Sequence, residues 1–198
     1  MAEFGVSRTV VREAMSRLQA AGVVETRHGV GTFALGYGDA STFRIAPDRL
    51  GTLQDVIAVL ELRIGVETEA AALAASRRTQ DNVAALRFAL DAFEAAVKEG
   101  RDAVGPDFQF HLEVARASQN RHFAELMATL GGTMIPRARL DPALAQAPEG
   151  QAYLRRVNLE HESIFDAIVR QDGEAARAAM RTHLVNSRER RRRAADGR

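Results

Sequence analysis

Glu160-His161-Glu162-Ser163-Ile164-Phe165-Asp166-Ala167-Ile168, followed beyond Asp172-Gly173 by Ala178-Ala179-Met180-Arg181-Thr182-His183-Leu184, reads as two helices joined by a tight turn. Such a hairpin runs antiparallel, so His161 and His183 can face each other across it. Outward from this pair, apolar residues recur at helical period all the way back to Thr52. Helices are expected over about 53–76, 80–99, 103–118, 121–141, 151–170 and 173–193. The breaks fall at Thr79, at Gly100-Arg101-Asp102, at Gln119-Asn120 and over 141–150, where Pro142, Pro148 and Gly150 stand. Six antiparallel helices with short connections make a bundle.

The first 35 residues differ. Val10, Ala14 and Leu18 form one helical stripe, with Val11 and Met15 beside it and Arg8, Arg12 and Glu13 elsewhere. Ser7 is placed to cap this helix, and Gly22 to stop it near Ala21. Val23–Arg27 and Gly31–Leu35 then read as two short strands, with His28-Gly29-Val30 as their turn. Residues 36–52, with Pro47 and several glycines, form a linker. The expected organisation is a helix-and-hairpin unit at 1–35, the linker at 36–52, an all-helical domain at 53–193 and a tail at 194–198. The fold class is mainly α.

Composition agrees and excludes several chemistries. In 198 residues, 46% are hydrophobic and only 6% aromatic, while Ala, Leu and Arg, all strong helix formers, recur throughout. There is no cysteine, which removes disulfides, thiolate metal sites and cysteine nucleophiles. No apolar run approaches the ~20 residues of a membrane span, and Met1–Gly5 carries no secretory pattern. The cytoplasm is the default expectation, with no membrane partner. Net charge is +1, but Ser187–Arg198 holds six arginines against Glu189 and Asp196. Such a run suits a solvated helix end as well as a phosphate contact.

The string Phe4-Gly5-Val6-Ser7-Arg8-Thr9-Val10-Val11-Arg12-Glu13-Ala14, then Leu18, Gly22-Val23-Val24 and Arg27-His28-Gly29-Val30-Gly31-Thr32-Phe33, resembles the winged helix-turn-helix of GntR-type transcription regulators. The resemblance implies operator DNA as a partner. Arg8 and Arg12, one turn apart, would contact phosphates or guanine edges. Thr9 and Val10 would sit at the start of the recognition helix, and His28 and Gly29 at the wing tip. Many members have Pro where Val10 stands. Two helices precede the recognition helix in such regulators, whereas this sequence begins within the end of the second. Val10, Ala14, Met15 and Leu18 are then expected to lack cover, operator affinity to be weakened, and Met1 to be a shortened or misassigned start.

Asp107 and His111 lie four apart, on one face of a helix. With His161 and His183 they make one carboxylate and three imidazoles, a set that suits a divalent transition metal such as Zn, Ni, Co or Mn. From the residues alone, a helical histidine is as readily an ordinary core or surface residue, and an i,i+4 Asp–His pair a simple local contact. Asp107, Phe110, His111, Ala115 and Asn120, the contexts of His161 and His183, and Leu62–Ala71 together resemble the FCD domain of FadR-type GntR regulators. That resemblance implies a metal held by Asp107, His111, His161 and His183. It also implies an effector pocket in which Arg63 pairs with a carboxylate, with Arg137 and Asn186 as further candidates; the local alternative for Arg63 is an ion pair with Glu67. His122 has no matching role.

The expected function is a homodimeric, DNA-binding regulator, a repressor, controlled by a small carboxylate or sugar acid at the metal. The alternative is a metabolite- and metal-binding dimer that no longer binds DNA because its winged helix is incomplete. Catalysis is the rival class. Glu160 and Glu162 flank His161, but neighbouring helix residues point ~100° apart, so neither is expected to serve as a base on a shared reactant, and no enzyme is expected.

Overall fold

The computed structural model describes residues 5, 7–20, 23–27, 31–34, 52–130 and 147–196. The chain divides into two compact units, Met1–Arg44 and Ile45–Arg198.

In the first unit, α1 (Arg8–Ala20) is followed by an antiparallel hairpin of β1 (Val24–Arg27) and β2 (Gly31–Ala34). Ser7 caps α1 as expected, its Oγ accepting from the Val10 amide at 3.3 Å. The hairpin pairs Glu25 with Phe33 and Thr26 with Thr32, whose hydroxyls meet at 3.0 Å. Val11 and Met15 are half-buried, whereas Val10 (52% exposed), Ala14 and Leu18 (39%) face outward. Three of the four side chains expected to lack cover are thus exposed, and Met15, the fourth, is half-buried.

The second unit contains six helices among the described residues: α2 (Leu53–Arg77), α3 (Gln80–Lys98), α4 (Val104–Ala117), α5 (Arg121–Leu130), α6 (Pro148–Val169) and α7 (Gly173–Asp196). Two threonines set two of the starts. Thr52 and Asp55 form a reciprocal capping box on α2, and Thr79 and Asn82 do the same on α3. Gly100, Gln119 and Gln171, all with positive φ, lie just past the ends of α3, α4 and α6.

Two expected boundaries move, and a third cannot be followed to its end within the described residues. Helix α6 begins at Pro148 and not at 151, because proline in the first turn has no N–H to leave unsatisfied. Helix α7 runs on to Asp196, so 194–196 of the expected tail is helical and 197–198 lies outside the described residues; an i,i+3 pair of Glu189 and Arg192 supports its last turns. The helix expected over 121–141 is described only as Arg121–Leu130, and 131–141 lies outside the described residues.

The core is built from Ile64, Leu86, Leu90, Phe110, Val114, Ile164, Ile168, Met180 and Leu184, with the alanines of α2 between them. Small residues let backbones approach. A Cβ on Gly173 would stand 3.2 Å from the Ala72 carbonyl oxygen, so the start of α7 rests on the backbone of α2. This close seam brings Glu67 of α2 and His183 of α7 toward the same buried point. No described helix is long and apolar enough to cross a membrane.

Candidate metal centre

Helices α4, α6 and α7 carry their polar residues inward at one level of the bundle. Asp107, His111, His161 and His183 are all 2% exposed or less. His111, His161 and His183 each offer a ring nitrogen within 4.8 Å of the other two. The Asp107 carboxylate adjoins them, its Oδ1 3.5 Å from His161 Nε2 and its Oδ2 3.9 Å from His111 Nε2. All four residues named from the sequence therefore meet.

Phenylalanines fix the imidazoles from the apolar side. His161 lies between Phe93 (ring centroids 5.1 Å apart, edge-on) and Phe110 (4.6 Å), and Phe110 also meets the edge of His111. Carboxylates fix them from the polar side. Glu67 Oε2 stands against His111 Nδ1, while Glu67 accepts from Arg63 Nε at 2.5 Å and from Arg63 Nη2 at 3.4 Å. Glu160 Oε2 accepts from His183 Nδ1 at 2.8 Å.

Burial opposes charge on the imidazoles. It pushes His111 below its ordinary value despite Glu67 beside it, with Arg63 adding to the effect. Burial likewise takes His183 down to about 3 against the pull of Glu160. Burial alone would raise Glu67, yet Arg63 and then His111 hold it well below the usual carboxylate range. The arrangement is two anionic carboxylates backing neutral imidazoles, the protonation state that metal ligation requires.

The donor set fits a divalent transition ion. Among the described residues His111 Nε2 is buried without a hydrogen-bond partner, which is costly in a core unless another group takes up its lone pair. Three imidazoles beside one carboxylate, with outer carboxylates on two of the rings, is the chemistry such an ion selects.

The other expected residues are distributed as follows. Arg63 is buried in the ion pair with Glu67 that its i,i+4 spacing allows. Asn186 donates to Glu160 at 2.9 Å. Arg137, His28 and Gly29 lie outside the described residues. Thr9, Val10 and Arg12 are exposed on α1, and Arg8 begins that helix. His122 is an exposed residue beside Glu125.

Glu67 and Glu160 were not singled out as parts of the centre from the sequence, and neither was Arg190, which binds Glu160. Glu67 had a visible signal in its i,i+4 spacing from Arg63. Glu160 had none, because its partner His183 comes from the next helix. Glu162 turns away to a two-bond contact with Arg87, at 2.9 and 3.1 Å.

The bundle and the hairpin unit each have known counterparts. Residues 58–186 match the FCD domain, and residues 1–34 match the bacterial regulatory proteins of the gntR family. The chain belongs to the GntR family and carries an FCD domain; it is a transcription regulator of that type and not an enzyme. It is 33% identical to the HTH-type transcriptional regulator LutR of Bacillus subtilis, over 92% of this chain and 84% of that protein. It is 29% identical to the Uxu operon transcriptional regulator of Escherichia coli, over 93% and 72% of the two chains. The Exu regulon transcriptional regulator of that species is 30% identical, over 93% and 70%. Two solved structures share the fold. Streptococcus agalactiae GntR has a TM-score of 0.55 at 24% identity, covering 95% of this chain and 84% of that one. E. coli McbR/YncC has a TM-score of 0.59 at 20% identity, covering 98% and 84%.

Proposed function

We propose that this regulator is a cytoplasmic, homodimeric repressor whose hold on an operator is controlled by a small carboxylate or sugar acid. Residues 1–35 are the DNA-reading part and 53–193 the sensing part. In the sensing part, Asp107, His111, His161 and His183 hold a divalent transition ion: Zn, Ni, Co or Mn. A bound ion of this kind supplies open coordination positions to a carboxylate or hydroxyl oxygen.

The chain's own residues do the rest. Asp107 adds a carboxylate beside the three imidazoles, and Phe93 and Phe110 keep the His161 side apolar. Arg63 is the charge partner of the acid in this reading, sharing its guanidinium with Glu67. Arg137 and Asn186 are the further effector candidates. On the DNA side, Arg8 and Arg12 contact phosphates or guanine edges, Thr9 and Val10 the bases nearby, and His28 and Gly29 the minor groove. Binding of the acid favours one placement of the two reading heads over another, by a coupling of about 1–3 kcal/mol if typical.

The observation that carries this reading is the convergence of three buried imidazoles and Asp107 at one point. The test is thermal shift across a panel of organic acids, with and without chelator, alongside an operator shift assay. Stabilisation by an acid only when metal is present, with release of DNA, is the expected result. Acid binding indifferent to chelator would sink the metal-docking part.

A second reading has its own observation. Val10, Ala14 and Leu18 are exposed, so α1 is weakly seated, which favours a metal- and metabolite-binding dimer with little operator affinity. A shift assay of this chain on operator DNA at two salt concentrations separates the two. Salt-resistant specific binding removes the second reading.

A further inference from the structure

Glu160 belongs to the same small cluster as His183 yet is far more heavily bonded than a helix-surface carboxylate needs to be. Besides the His183 ring it accepts from Asn186 Nδ2 at 2.9 Å, from Arg190 Nη1 at 3.0 Å and from Arg190 Nη2 at 3.1 Å. Arg190 is held in turn, its guanidinium carbon 5.0 Å from the centre of the Tyr153 ring. The carboxylate is thus clamped on three sides, and its fourth contact is an imidazole Nδ1.

The same order of groups recurs once more around the centre. Arg63 clamps Glu67, and Glu67 stands against His111 Nδ1. The first arrangement is built from α6 and α7, the second from α2 and α4. Different helix pairs have reached one solution, arginine to glutamate to the Nδ1 of a histidine. In the second case the other ring nitrogen, Nε2, is turned toward Asp107. A histidine whose Nδ1 carries the proton has its lone pair on Nε2 and can donate only from there.

We propose that Glu160 is the positioning residue of His183: clamped by Arg190 and Asn186, it fixes the Nδ1–H tautomer and so leaves Nε2 as the donor to a divalent transition ion. Glu160 does not touch the ion. It sets how tightly the centre holds one, and Arg190 near the end of α7 acts through it. This inference rests on the reading of Asp107, His111, His161 and His183 as a metal centre. It also gives Asn186 a role distinct from effector contact.

The test uses the full chain and Zn²⁺ as the probe, titrated in competition with a chromophoric chelator. Glu160→Ala is expected to weaken Zn²⁺ binding by about 10–100-fold, the usual cost of losing an outer carboxylate. Glu160→Gln, which keeps an acceptor oxygen, is expected to recover most of that loss, and Arg190→Ala to produce a smaller one. Glu162→Ala, on the same helix but paired with Arg87, is expected to leave the affinity unchanged. Zn²⁺ affinity in Glu160→Ala within about twofold of the parent overturns the proposal, as does an equal loss in Glu162→Ala.

Should Glu160→Ala not fold, nitrogen NMR of the metal-free parent decides the matter. An Nδ1–H tautomer on His183 supports the inference and an Nε2–H tautomer overturns it. A parent chain that takes up no Zn²⁺ overturns the metal reading and this inference with it. Uptake that is undiminished in Glu160→Ala overturns this inference alone.

Discussion

The bundle and the hairpin unit spend their side chains in opposite ways. Around the histidines the bundle buries charged and polar groups and holds several of them in place: Arg63 with Glu67, Glu160 with Arg190 and Asn186, rings against Phe93 and Phe110. In the hairpin unit apolar side chains stand in the open, Val10 and Leu18 on α1 and Phe33 on β2. The first arrangement fixes a geometry in advance, so a ligand meets donors already in place. The second gains little from its own packing, and its apolar and cationic surface is available for contact. A regulator needs both, a rigid sensor and a reader whose surface is still unspent.

The contrast is most easily broken in the core. Phe110→Ala removes a fully buried ring that touches two of the histidines, and is expected to destabilise the helical unit by about 3–5 kcal/mol. Urea unfolding followed by circular dichroism measures it; a loss below about 1 kcal/mol would mean the centre is not held by this packing.

Next in size is the metal itself. With Zn²⁺ at about a hundred times its dissociation constant, the bundle is expected to gain about 2.7 kcal/mol over the chelated protein, and His111→Ala to abolish that gain. Calorimetry with and without chelator checks it. An equal gain in His111→Ala would place the ion elsewhere.

On the reading side the effects should fall on DNA and not on stability. Arg12→Ala is expected to cost about 1–3 kcal/mol in operator binding if it reads a base edge. The melting temperature should stay where it is, because Arg12 is exposed. A shift assay at two salt concentrations tells a base contact from a phosphate contact, and a drop in melting temperature would argue against a purely reading role. Smallest of all, Val10→Ser should change stability by no more than about 0.5 kcal/mol, as exposed substitutions do. A loss of several kcal/mol would show that α1 is seated on something through that face.

Much of this was legible beforehand because helices announce themselves locally. Thr52 and Thr79 mark helix starts by chemistry within four residues, and the period of Ile64, Ala71 and Ala74 or of Ile164 and Ile168 shows which face is buried. The four candidate ligands were named through the resemblance to the FCD domain, because helical spacing alone left each histidine as readily an ordinary core or surface residue. What escaped was carried by contacts between helices. Glu160 sits about 100° round from His161 on its own helix, which argued against a shared task. It meets His183 only because α7 packs on that side. Pro148 and Gly150 looked like a break, whereas a proline in a helix's first turn is harmless and the helix simply began there. On α1 the period grouped the apolar side chains, and Val10, Ala14 and Leu18 are exposed as expected, while Met15 is half-buried through neighbours that a period does not name.

The depth of the four side chains has a kinetic corollary. With Asp107, His111, His161 and His183 each exposed by 2% or less, a seated cation could leave only when the surrounding helices part. Exchange would then follow the breathing of the protein and not the diffusion of the metal. A purified sample would carry a record of the ions around it while the chain was folding.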